Sequence, residues 1–179
     1  MILPASRTYA GWLAIARILT GAVWIIHAIP KFLNGASFLP PNGRFSTYVQ
    51  QGIASTSGPY HDFMVGVVAP NAAIFAELVR LGELLVGISL VLGLFTRLGA
   101  FFGVLLPLNY MAARGAVATL SGWGSADATL ALLGAISLIL PTGRVAGFDG
   151  LRTPRAPRRP KVIAEVVPER PLDRPTAPP

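Results

Sequence analysis

Apolar residues run almost unbroken through four stretches of this chain, and the polar positions between them divide it into elements. The first stretch, Thr8 to Ile29, carries a single charge, Arg17, beyond Arg7. As a helix it is long enough to cross about 30 Å of hydrocarbon. The second, Ala72 to Leu94, opens behind Pro70 with Asn71 as its N-cap, and from Leu81 to Phe95 its one charge is Glu83. A tight turn at Thr96-Arg97 leads into the third, which runs to Ala118 with a kink expected at Pro107. The fourth runs from Ser125 to Leu140 and stops at Pro141-Thr142-Gly143. Asn34 to Pro70 is too polar to span. Phe45, Tyr48, Val49 and Ile53 fall on one face of a short helix there, and Pro59 to Val68 can form another. The pattern predicts an all-α, integral membrane, antiparallel four-helix bundle. An extracytoplasmic cap lies between helices 1 and 2, its aromatics at headgroup level, and an extended C-terminal tail follows. A loosely folded loop is the alternative to the cap.

Composition agrees with a bilayer environment. The 179 residues are 53% hydrophobic and 13% charged, against about 25% charged in soluble domains. Mean hydropathy is +0.57. Cysteine is absent, which removes thiol catalysis and thiolate ligands from this chain, and the two histidines, His27 and His61, are far apart. No metal site and no covalently held cofactor is expected.

The chain divides into a transmembrane domain, residues 1–150, and a basic, proline-rich cytoplasmic tail, residues 151–179. The tail holds seven of the 15 basic residues and eight of the 16 prolines, a density that favours extended polyproline II. Its Arg152 to Lys161 cluster suits anionic lipid headgroups, and a solvated positive tail is the plainer reading. Ordering such a tail requires contact with another molecule, and Val162 to Val167 is the expected docking segment for a second protein subunit. Nucleic acid is not an expected partner, because no folded reader or aromatic interleaving accompanies the charge. Arg7, Arg97, Arg144 and the tail fall on one side of the spans, and Lys31, Arg44 and Arg114 on the other. The arginine bias makes the chain multi-pass with both termini cytoplasmic.

The charges within the spans are the candidate chemistry. Arg17, Thr20, Gly21, Trp24, His27 and Lys31 share one broad helical face. Glu77, Arg80 and Glu83 recur every three residues on the second span, so Arg80 reaches either glutamate. In antiparallel helices Arg17 and Glu83 come out at matching depth. A charge at the centre of a membrane helix costs about 2.5–3.5 kcal/mol, so the two are expected to form an intramembrane ion pair. His27, Lys31, Glu77, Arg80, Asn109, Tyr110 and Asp127 gather in the outer half. Each has a duller reading: a packed histidine, a snorkelling lysine, a packed tyrosine, a helix-dipole aspartate. Gly87, Gly93, Gly99 and Gly103 allow close helix contacts without any ligand.

Several motifs resemble the DoxX/DoxD family of small four-helix membrane proteins. Arg17 to Gly21 followed by His27-Ala-Ile-Pro-Lys31 is similar to the family's first-helix arginine, glycine and H-G-x-x-K step, with Ala28 in place of the glycine. Glu83-Leu-Leu-Val-Gly87, then Gly93-Leu-Phe-Thr-Arg97 and Ala100, resemble E-x-x-G-G…G-L-x-T-R-x-A-A. Gly143-Arg144 and Asp149 are similar to the closing G-R-x-S-L-D. The resemblance runs from about Ala14 to Asp149. It implies a bacterial cytoplasmic (inner) membrane and kinship with the large membrane subunit of thiosulfate:quinone oxidoreductases. The function it implies is a membrane subunit of a quinone-linked oxidoreductase system in the respiratory membrane. A non-catalytic accessory or structural subunit of a larger membrane complex is the alternative. A quinone needs an apolar slot, donors to its carbonyl oxygens and a proton source, and His27, Lys31, Glu77, Arg80 and Tyr110 are the residues expected to supply the polar part.

Overall fold

A computed structural model describes residues 5–152, and among them every regular element is helical. Helix α1 (Ala5–Leu33) is followed by α2 (Gly35–Phe38), α3 (Arg44–Ser55) and α4 (Gly58–Phe63). The last of these continues into a π turn, Met64–Val68. Then come α5 (Ala72–Leu92), α6 (Thr96–Ala113), α7 (Leu120–Trp123), α8 (Ala126–Ile139) and α9 (Asp149–Arg152). Among the described residues one helical stretch, Tyr9–Leu33, is long and apolar enough by itself to cross a membrane.

The element limits have local causes. Helix α1 outruns its expected end at Ile29 because Pro30 does not stop it: Asn34 N–H still finds the Pro30 carbonyl at 3.0 Å. That extra turn brings Lys31 onto the helix. Helix α5 ends at Gly93, whose φ of +64° suits a residue without Cβ. The expected Thr96-Arg97 turn lies one step earlier, at Gly93 to Phe95, and Thr96 is already helical. Helix α6 stops at Ala113, short of Ala118, because Gly115 turns the chain at φ +63°. Ser125 caps α8 by accepting the Ala128 N–H at 3.3 Å. Asn71 stands at the α5 N-cap, but its side chain instead donates to the Val67 carbonyl at 2.9 Å.

Helix α1 packs along α5, α5 along α6, α6 along α8, and α8 returns to α1. The α1–α5 contact is close. A Cβ on Gly21 would sit 2.8 Å from the Gly87 carbonyl oxygen, and one on Gly87 would sit 2.6 Å from Ile25. Going up α1 from Arg17 through Gly21 and Ile25 to Lys31, the neighbours on α5 descend from Gly93 through Gly87 to Glu83, so the two helices are antiparallel. Trp24, Val86, Leu90 and Ala100 form one buried cluster. Residues 34–71 build a second around Phe38, Phe45, Val49, Met64 and Val68, seated on Ala76 at the start of α5. The segment expected as a cap is thus a packed unit. Tyr48, expected on its apolar face, is instead 53% exposed.

Candidate functional site

Side chains from two other helices, α1 and α6, meet at Glu83 of α5. The carboxylate is buried, with the residue 3% exposed. Its Oε2 is ion-paired with Lys31 Nζ, and its Oε1 accepts the Tyr110 hydroxyl at 2.8 Å. Lys31 also lies 5.0 Å from the Phe38 ring centroid, where the ring face favours a cation. Glu83 satisfies the lysine charge, yet an ammonium has three protons and this contact uses one. A second ion pair, Arg114 with Asp127, joins the end of α6 to the start of α8.

Both pairs border one cavity of about 1490 Å³, which also takes in His27 and Asn109. Cap residues cover its outer part, and leucine, valine and phenylalanine side chains of α5 and α6 wall the rest. Tyr60 of the cap donates its hydroxyl to Asn109 Oδ1 at 2.9 Å. Burial raises the Tyr60 phenol above its ordinary value near 10, so it stays a donor at neutral pH.

Of the five residues expected around a headgroup, Lys31, Tyr110 and His27 line this cavity, and Glu77 and Arg80 do not. Arg80 turns back on its own helix and forks onto Glu77 through Nε and Nη2 at 2.7 and 2.6 Å. Its guanidinium lies 4.7 Å from the Phe32 ring centroid. The three-residue spacing that put Arg80 in reach of both glutamates selects Glu77. The His27 Nδ1 bonds the Val23 carbonyl at 2.8 Å, one turn back, so in the neutral ring Nε2 is an acceptor and not a donor.

The expected Arg17–Glu83 ion pair does not form. Lys31 takes the glutamate, and Arg17 lies 14 residues away on α1, about 21 Å at 1.5 Å per residue. Arg17 is level with Gly93 at the far end of α5. There its guanidinium, 1% exposed, donates to the carbonyls of Thr142 at 2.8 Å, Val145 at 3.5 Å and Ala146 at 2.8 Å. Asp149 sits beside this knot and accepts the N–H groups of Phe95 and Thr96, each at 2.9 Å. Those bonds hold Phe95 at φ +50°, a region unfavourable to a side chain, and cap the start of α6. Matching depth by counting residues failed because α1 extends past Pro30 and the α1–α5 register is set by glycine contacts. Spacing gave no signal for Glu83 as the partner of Lys31. The composition of the 142–147 turn gave none for its carbonyls as the partner of Arg17.

The family profile described as TQO small subunit DoxD matches residues 12–163. The chain belongs to the DoxD family. That description makes its members subunits of a larger assembly, and the subunit is the small one, not the large one that the sequence resemblance brought in. The match also runs past Asp149, so the beginning of the basic segment is shared with the family. No curated protein and no solved structure matches the chain. Among the described residues no group of three or more histidine, aspartate or glutamate side chains could hold a metal ion. The expected docking of Val162 to Val167 on a second subunit lies outside the described residues.

Proposed function

We propose that this DoxD chain is the multi-pass membrane subunit of a quinone-linked oxidoreductase, and that the Lys31–Glu83–Tyr110 corner holds the quinone headgroup. One observation carries the reading: a buried carboxylate, an ammonium and a phenol converge at the polar corner of a cavity otherwise walled by hydrocarbon. The donor set fits. Lys31 keeps protons to offer a carbonyl oxygen, while the single Tyr110 O–H is committed to Glu83 and positions that carboxylate. A bound quinone supplies an acceptor for two electrons and two protons. Glu83 pairs with Lys31 and accepts the Tyr110 hydroxyl, so the carboxylate fixes the ammonium and the phenol at this corner. The Lys31–Glu83 and Arg114–Asp127 pairs are each neutral, as a site away from water requires. The electron donor resides on another subunit in this reading.

Topology follows the same proposal. Helices α1, α5, α6 and α8 span a bacterial cytoplasmic membrane as an antiparallel four-helix bundle, with the cap outside and both termini inside. Among the described residues Arg97 and Arg144 near the Arg17 end are matched by Lys31, Arg44 and Arg114 at the cavity, so this orientation rests on the seven basic residues of the tail, which the positive-inside rule counts.

The test is quinone binding to the purified, detergent-solubilised protein. Lys31→Met and Glu83→Gln should each weaken binding about tenfold or more, the scale of one lost charged hydrogen bond. Arg80→Met, which removes a cation outside the cavity, should leave binding unchanged. Equal binding by wild type and both corner variants would sink the assignment.

A further inference from the structure

The end of the bundle opposite the cap carries a second, smaller notch that the quinone reading does not use. It holds about 420 Å³ and lies between the first turn of α6, the last turn of α8 and the turn that follows α8. Arg97 of α6 and Arg144 of that turn both line it, and both are exposed. Arg17, Arg80 and Arg114 each have partners. Among the described residues neither the Arg97 nor the Arg144 guanidinium has an ion pair or a hydrogen bond.

The floor of the notch is polar as well. Ser137, Thr96 and Thr142 line it, each no more than 4% exposed. The Thr96 and Thr142 hydroxyls are buried without a partner, and the Ser137 hydroxyl makes no hydrogen bond among the described residues. Buried hydroxyls normally find one. Gly143 leaves the floor without a side chain: a Cβ there would press on Thr96 Oγ1 and lie 2.6 Å from Asp149 Oδ2. Asp149 is the acid on this wall, and each of its oxygens already accepts a backbone N–H. Two arginines against one carboxylate leave the notch cationic.

We propose that the notch binds the phosphate of an anionic phospholipid, held between Arg97 and Arg144 over the Ser137 hydroxyl. The proposal is independent of the quinone and rests on the bundle crossing a bilayer with this end at a headgroup layer. A guanidinium presents paired N–H donors that match phosphate oxygens, and an unpartnered hydroxyl is a further donor for the same acceptor. The rim selects a lipid over a free anion. Phe95, Leu98 and Leu140 flank the charges and are exposed. A soluble anion makes no use of them, whereas acyl chains hung from the phosphate lie against them. Basic pockets between membrane helices at the cytoplasmic surface suit such headgroups. The bound phosphate would join α6 to the 142–144 turn, whose Thr142 carbonyl receives Arg17.

The test supplies the full-length protein, in neutral detergent, with phosphatidylglycerol, which is anionic, or phosphatidylcholine, whose phosphate is offset by choline. Native mass spectrometry counts the lipid retained. Wild type should prefer phosphatidylglycerol about tenfold. Arg97→Met and Arg144→Met remove no side-chain hydrogen bond or ion pair seen in the fold, and each should cut that retention about tenfold, the scale of one charged hydrogen bond. Arg158→Met combined with Arg159→Met, in the tail, should leave it within about twofold. Phosphatidylglycerol should also raise the Tm of wild type and not of the notch variants. Retention lost in the tail variant but kept in both notch variants would place the lipid on the tail and overturn the notch. Equal retention of the two lipids by wild type would overturn it too. Displacement of the lipid by inorganic phosphate at constant ionic strength would make the ligand a soluble anion and overturn the lipid assignment. A chain that stays monodisperse in buffer without detergent would overturn the bilayer reading and this inference with it.

Discussion

Two buried charges show how little of a partner's identity is written in a single residue. Arg17 and Glu83 are the charges that interrupt otherwise apolar stretches, and the sequence marks both as interior. Their partners depend on helix register, which no spacing within one helix contains. Gly21 against Gly87 sets that register, so Arg17 meets backbone carbonyls and Glu83 meets Lys31. The two residues therefore separate experimentally. Arg17→Met leaves the Thr142 and Ala146 carbonyls without their donor and should lower stability by about 3 kcal/mol, on the scale of about 1.5–3 kcal/mol for each hydrogen bond to a charged group. Chemical denaturation in mixed micelles should show the loss, while quinone affinity of the folded fraction stays at the wild-type value. Loss of binding without loss of stability would place Arg17 in the site instead.

At the scale of elements, hydropathy located the four long helices well because burial and bilayer both select the same side chains. Their ends were less legible. Pro30 reads as a stop and is passed by α1, whereas Gly115 lies inside an apolar run and ends α6. The cap helix was visible from Phe45 and Val49, but Tyr48 was placed wrongly because a short helix has few residues with which to fix its buried face. Close approach of α1 and α5 is a property of the pair, and Gly87 tests it. Gly87→Val would drive a branched side chain onto Ile25 and the Gly21 carbonyl. It should destabilise by about 1–3 kcal/mol, the usual range for overpacking, and shift the Lys31–Glu83 contact enough to lower quinone affinity as well. Gly11, with open space around its Cβ position, should accept alanine without either effect.

For the whole molecule, the candidate site was half legible. A shared face and an outer position select Lys31, His27 and Tyr110, and the same outer position together with three-residue spacing selects Glu77 and Arg80. The structure ties those two to each other and supplies Glu83 in their place. The proposed topology puts the cap and the 142–146 turn on opposite faces of the membrane. Single cysteines introduced at Ser57 and Val145 into this cysteine-free chain should react with an impermeant maleimide from opposite sides. Labelling of both from one side would refute the bundle orientation.

The Arg17 knot also sets a timetable for biosynthesis. The guanidinium lies on α1, and the carbonyl that receives it at Thr142 is 125 residues later in the chain. At about 5–20 residues per second, the nascent protein carries that unsatisfied cation for roughly 6–25 s before its acceptors exist. Helix α1 therefore cannot reach its final state while the rest is being made. The end of α1 that carries Arg17 is closed only when the 142–147 turn packs onto it.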